Sequence, residues 1–130
     1  MTIFSKIING EIPCYKIYED ELTFAFLDIN PIRKGHILVV PKIEIDSWLE
    51  IPEEYYLAVY KTARILAPAI QQFTGSDRIG QHVEGFLVPY FHLHLVPLFD
   101  GADFFAKDNF EASPENFAAV QEGLNKLILK

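Results

Sequence analysis

Val88-Pro89-Tyr90-Phe91-His92-Leu93-His94-Leu95-Val96-Pro97 is the stretch that leaves the fewest options for the fold. Polar and apolar side chains alternate through it, which is the period of a β-strand with two unlike faces. Read as a strand from Val88 to Leu98, it turns Tyr90, His92 and His94 to one side. Phe91, Leu93 and Leu95 turn to the other. The apolar row needs a core against it. The other row sets two imidazoles side by side on rigid backbone.

The rest of the chain supplies elements to surround that strand. Phe4 to Ile8 predicts a short helix, ended near Asn9-Gly10. Tyr15–Tyr18 and Leu22–Ile29 read as strands divided by the turn Glu19-Asp20-Glu21, and Asn30-Pro31 stops the second. Gly35–Val40 is apolar on both faces apart from His36, the pattern of a central strand, and Pro41 ends it. Pro52 suits the first position of a helix, with Glu53 and Glu54 at the positive end of its dipole. Tyr56, Val59, Tyr60, Ala63, Leu66, Ala67 and Ile70 then recur at helical spacing, with Pro68 able to kink the run and Thr74-Gly75-Ser76-Asp77 closing it. Arg78–Val83 is a further strand, and Glu84-Gly85 a bulge or turn before the histidines. Asp100 to Asn109 is an acidic, aromatic loop. Ser113-Pro114-Glu115 opens a last helix, striped by Phe117, Val120, Leu124 and Leu127. Short strands joined by tight turns, with helices between, predict an α+β fold on an antiparallel sheet.

At 130 residues, half of them apolar and 22% charged, the chain reads as one globular domain with a real core. A net charge of −7 lacks the basic footprint of a protein that grips a nucleic-acid backbone, although a pocket can still be locally positive for a small phosphate. Cys14 is the only cysteine, which excludes an intramolecular disulfide and a cysteine-based zinc cluster. The N-terminus has no long apolar run before a cleavage pattern. No stretch nears the ~18 apolar residues of a membrane span, so no membrane partner and a cytoplasmic setting are expected.

Imidazole titrates near neutrality and is a good nucleophile when neutral. Two on one strand face can divide the work: one attacks, and the other, protonated, holds an anion or gives a proton. The pair also fits two buried structural histidines, or two ligands of zinc, copper or iron. His36 would join them if its strand were adjacent; alone it reads more readily as a satisfied structural histidine. His82 reads as a surface or strand histidine. Asp28, at a strand end, bonds either local backbone or a ligand. Arg33 and Lys34 read as solvated turn charges, with a phosphate contact as the alternative.

Three stretches carry a likeness: Ile3-Phe4-Ser5-Lys6-Ile7-Ile8-Asn9-Gly10-Glu11-Ile12-Pro13; Phe24-Ala25-Phe26-Leu27-Asp28-Ile29-Asn30-Pro31 running to Gly35-His36-Ile37-Leu38-Val39-Val40-Pro41-Lys42; and Glu84 to Pro97. In this order and spacing they resemble the histidine triad family of nucleotide hydrolases and nucleotidyl transferases. The likeness covers most of residues 1–98, with a C-terminal loop and helix over 99–130 in the same domain. It implies a five-stranded antiparallel sheet with two main helices, extended across a homodimer. It implies His92 as the nucleophile toward the α-phosphorus of a purine nucleotide, forming a nucleotidyl-histidine that water cleaves. His94 would hold phosphate oxygens or assist the leaving group, and His36 would support the network. Asp28 would bond the ribose hydroxyls. Phe4, Ile7, Phe26 and Ile29 would line the base pocket, and Gly85 would reach the phosphate through its backbone. The substrate expected is a nucleoside phosphoramidate or a dinucleoside polyphosphate, with no metal or other cofactor required.

The family motif is His-φ-His-φ-His-φ-φ, φ being apolar, and its first histidine position falls on Tyr90. A phenol does not become cationic near neutral pH. A hydrolase of weakened or retuned activity is therefore expected; the alternative is a nucleotide-binding protein that no longer turns its ligand over. A metal-dependent hydrolase using His36, His92 and His94 is a third reading. The small polar Gly-Gln-Ser/Thr stretch of many members is Gly85-Phe86-Leu87 here. Some members bind structural zinc through two N-terminal cysteines and a later histidine; Thr2, Ser5 and Glu44 hold those positions, so that zinc is not expected.

Overall fold

The computed structural model describes residues 1–128. Its strands are β1 (Lys16–Glu19), β2 (Thr23–Leu27), β3 (Ile37–Pro41), β4 (Arg78–His82) and β5 (Leu93–Leu98). They form one sheet in the order β1-β2-β3-β5-β4, each neighbour antiparallel. The helices are α1 (Ile3–Ile8), α2 (Glu53–Thr74) and α3 (Pro114–Leu127). The α+β class and the five-stranded antiparallel sheet match the expectation.

Strand parity gives the sheet two buried faces. Ala25, Leu27, Ile37, Val39, Leu93 and Leu95 pack against α2 and α3, meeting Val59, Leu66 and Ile70 of the first and Phe117, Val120 and Leu124 of the second. Phe24, Phe26, Leu38 and Val40 point the other way and pack with Phe4 and Ile7 of α1 and with Tyr90. Burial on both sides is why β2 and β3 read as unbroken apolar runs.

A six-residue helix cannot hold itself together in water. Phe4 and Ile7 anchor α1 to the sheet, and a capping box closes its first turn. The Glu44 carboxylate adds a tie from the segment after β3, accepting from the Thr2 N–H at 3.2 Å and from the Ser5 hydroxyl. Thr2, Ser5 and Glu44 thus converge and are held by hydrogen bonds among themselves.

Several boundaries shift from the sequence reading, most of them by a residue or two, and two of the differences have a plain backbone cause. The strand expected from Val88 begins only at Leu93. Pro89 has no N–H to give, the Tyr90 N–H turns back to the Val88 carbonyl at 2.8 Å, and the Phe91 N–H goes to the Ile45 carbonyl at 2.7 Å, outside the sheet. Pro52 is the N-cap of α2, not its first helical residue, because its ψ of 140° is extended. The helix continues through Pro68 and ends where Gly75 takes the left-handed φ of 71°, its N–H returning to the Gln71 carbonyl.

Candidate active site

Register brings the histidines together. Asp28 and His36 flank the β2–β3 turn, and the Asp28 N–H donates to the His36 carbonyl at 3.1 Å. β3 lies beside β5, with Leu38 opposite His94, and β5 lies beside β4, with His82 opposite His94. The adjacency that sequence left open therefore exists: His36 Nε2 is 2.9 Å from His94 Nδ1. The His92 and His94 ring centroids are 4.9 Å apart.

Each proton can be placed from its fixed partner. His92 Nδ1 lies 2.6 Å from the Tyr90 carbonyl. A carbonyl only accepts, so Nδ1 carries the hydrogen and Nε2 of the neutral ring keeps its lone pair. The Ile32 N–H donates to His36 Nδ1 at 2.9 Å, so the His36 hydrogen is on Nε2. That hydrogen faces His94 Nδ1, which must accept it, leaving the His94 hydrogen on Nε2. The Asp28 carboxylate stands 3.5 Å from His36 Nε2 and 3.9 Å from His94 Nδ1, at the side of this chain.

Burial, first of all, keeps both rings neutral. It pushes the His36 pKa down to about 4; Asp28 pulls it back up, and His82 and Arg33 push it further down. Burial pushes His94 down to about 3, helped by His36, His92 and His82. His36 and His94 at rest are thus a relay of two neutral imidazoles, with the His94 hydrogen on Nε2.

These groups line one cavity of about 370 Å³, within the range of small-molecule sites. Phe4, Ile7, Phe26 and Leu38 make an apolar end. Asp28, His36, His82, His92 and His94 make the polar floor, and Ile29, Gly85 and Phe105 stand at the rim. The Phe4 ring meets the His92 ring edge-on at 5.0 Å and Phe26 at 5.5 Å, so α1 joins the apolar end to His92. Slot, carboxylate and imidazoles follow one another along the sheet.

A family model described as HIT domain matches residues 9–101. The chain belongs to the HIT family. It is 42% identical to an uncharacterized HIT-like protein of Methanocaldococcus jannaschii over 107 residues, 78% of this chain and 81% of the other. It is 35% identical over 97 residues to an adenosine 5′-monophosphoramidase of Schizosaccharomyces pombe, 73% of this chain and 72% of that one. The crystal structure of a HIT-like protein from Bartonella henselae matches with a TM-score of 0.85 at 27% identity, covering 98% of this chain and 96% of that chain.

In this HIT chain the residues read from the sequence divide into two groups. Phe4, Ile7, Phe26, Asp28, Ile29, His36, Gly85, His92 and His94 all border the cavity. Tyr90 shares their face of the sheet, but its ring is packed in the core and its hydroxyl donates to the Pro41 carbonyl at 2.5 Å. Burial raises that phenol to about 12, with the Glu44 charge adding to the effect. What Tyr90 presents to the site is its carbonyl, on His92 Nδ1.

Two residues carry more than the sequence reading assigns them. His82 is a strand histidine, the last residue of β4, and it also borders the cavity: its ring lies 5.4 Å from that of His94, and Glu84 reaches its Nε2 at 3.7 Å. Parity from a correctly paired neighbouring strand was the signal, and pairing is not visible in one strand's sequence. Arg33 is not a solvated turn charge but is buried, donating to the Pro97 and Phe104 carbonyls at 3.2 and 3.0 Å and to that of Asp103. It pins the acidic, aromatic loop so that Phe105 walls the cavity. Asp28, His36 and His94 also bring three donor atoms within 4.8 Å, the composition a divalent metal uses. Here those atoms are engaged with one another through the relay proton.

Proposed function

We propose that this chain, residues 1–130 as one HIT domain, is a cytoplasmic hydrolase acting at the α-phosphate of a purine nucleotide through a nucleotidyl-histidine at His92. Its substrates are nucleoside phosphoramidates or dinucleoside polyphosphates. The observation that carries the reading is the 2.6 Å contact of His92 Nδ1 with the Tyr90 carbonyl, which holds the ring and leaves Nε2 as the nitrogen available at the cavity. The name of the fission-yeast relative, a monophosphoramidase, supports the same chemistry.

The base stacks in the slot of Phe4, Ile7 and Phe26 beside Ile29, and the Asp28 carboxylate accepts from the ribose hydroxyls. Gly85, with φ of 85°, leaves its backbone free of a side chain beside the phosphate. Substrate anion favours protonation of the His36–His94 relay, so one proton enters with it. His92 Nε2 attacks phosphorus, and the bond to the leaving atom breaks with its electron pair. His94 Nε2 hands that atom its proton. Water then attacks phosphorus, gives a proton back to His94 and leaves its hydroxyl on phosphorus as the bond from phosphorus to His92 Nε2 breaks. The electron pair returns to His92. Alignment on a strand and hydrogen bonds to the developing charge supply the rate, and no cofactor is needed.

β4 pairs only with β5 among the described residues, so its outer edge is open. We read it as the edge along which a homodimer forms. The alternative, a nucleotide binder without turnover, draws on the Tyr90 hydroxyl being engaged by Pro41. AMP release from an adenosine phosphoramidate decides between them. Turnover is expected, falling at least ~1,000-fold in His92→Ala while AMP binding stays within a few-fold. Undiminished turnover in that variant defeats the mechanism; tight AMP binding with no wild-type turnover establishes the binder.

A further inference from the structure

The rim beyond the histidines has a composition of its own. Phe86 and Leu87 border the cavity yet are 89% and 94% exposed, and Phe105, which also borders it, is 59% exposed. Large apolar side chains left in water at the mouth of a polar site mark a place where something apolar is received. His82 and Glu84 stand inside this rim, next to His94. Lys and Arg are absent from the cavity lining among the described residues, and its carboxylates are Asp28 and Glu84. On the hydrolase reading above, we infer that Phe86, Leu87, Phe105 and Glu84 form a leaving-group subsite, and that the leaving group it takes is an amine carrying an apolar or aromatic body.

Charge separates the candidates. A polyphosphate leaving group brings several negative charges to a rim that offers it no lysine or arginine and confronts it with Glu84. A carboxylate leaving group meets the same repulsion. Bare ammonia leaves Phe86 and Leu87 uncovered. An amine with an apolar body satisfies every part: the phosphorus–nitrogen bond breaks, the nitrogen keeps the electron pair and takes the His94 proton, and the amine, which becomes an ammonium in water, sits beside a carboxylate. Its body covers the rim side chains. The segment that carries Phe105 is built to stay in place. Arg33 clamps the carbonyls of Asp103 and Phe104, and Gly80 lets the Phe104 ring lie against β4, where a Cβ would meet it at 2.5 Å.

The test compares the adenosine 5′-phosphoramidates of ammonia and of 2-phenylethylamine, with diadenosine tetraphosphate beside them. Calorimetry with AMP and its uncleaved 2-phenylethyl ester reads the subsite without turnover. Half a phenyl ring's area removed from water corresponds to about a tenfold preference. We expect the phenylethyl compounds to lead by at least that factor in kcat/KM and in affinity, and diadenosine tetraphosphate to be slowest. In Phe86→Ser/Leu87→Ser, whose wild-type side chains lie almost wholly in water, both ratios are expected to fall below about twofold. Equal rates in wild type, a fastest dinucleotide, or a preference surviving the double variant each overturn the subsite. The ester's tighter binding without any turnover keeps the subsite and overturns the hydrolase; turnover through His92 without the preference does the reverse.

Discussion

Tyr90→Phe isolates what the phenol does. Its hydroxyl is buried and donates to the Pro41 carbonyl at 2.5 Å, at the end of β3. Removing it keeps the ring packing against Phe4 but leaves a buried carbonyl unpaired, a loss of about 1–3 kcal/mol. Titration adds a separate signature, because burial and the Glu44 charge disfavour the phenolate that the Phe variant cannot form. The phenol is held at about 12 against an ordinary 10. Between these values the native state keeps a proton that the unfolded state has released, so stability falls as pH rises. At ~1.4 kcal/mol per pH unit, about 2–3 kcal/mol is present below pH 10 and lost toward pH 12. Urea denaturation of both proteins should therefore show a gap of about 2 kcal/mol at pH 8 that closes between pH 10 and 12. AMP release should fall far less than in His92→Ala, because the Phe variant retains the carbonyl that holds His92 Nδ1. A Tyr90→Phe protein as stable as wild type but more than tenfold slower would refute this placement, since the phenol would then be acting on substrate.

Acid should unfold the protein through its relay. With His36 held at about 4 and His94 at about 3, the unfolded state binds more protons below the ordinary value of 6.5. Stability is then lost as pH falls from about 6.5 toward 4, at up to ~1.4 kcal/mol per pH unit for each ring, and urea midpoints at pH 7, 6 and 5 measure it. A flat profile would contradict two buried neutral imidazoles. Arg33→Met should cost about 2 kcal/mol and open residues 99–110 to limited proteolysis, because it strips donors from carbonyls of Pro97, Asp103 and Phe104. An uncut loop in that variant would show that the guanidinium does not hold it.

Much of the framework was legible because burial imposes periodicity. The row Phe91, Leu93 and Leu95 lies in the core under α2 and α3 as alternation required. The apolar stripe of α2 was equally plain, with Val59, Ala63, Leu66 and Ile70 all buried. What escaped was set by partners distant in sequence. Arg33 looks like a turn charge until a loop seventy residues later brings its carbonyls. Hydropathy also could not show that the Tyr90 hydroxyl would find Pro41, 49 residues away, and leave the site to the backbone of its own residue.

The cluster depends on parity along three strands at once. Phe24 and Phe26 share a face with Leu38, Val40 and Tyr90, and that face carries on into Asp28, His36, His92 and His94. One residue of slip in β5 would turn His94 into the core and bring Leu95 to the cavity, exchanging a buried apolar contact for an unpaired imidazole. The pairs Ile37 with Leu95 and Val39 with Leu93, both wholly apolar and buried on the α2 side, resist that slip. The register that places the relay is thus enforced from the opposite face of the sheet. Leu93→Ser should therefore loosen His36 against His94, visible as a broadened relay-proton resonance, without touching any residue that lines the cavity. A sharp, unshifted resonance in a destabilised Leu93→Ser protein would show that the histidines hold their own register.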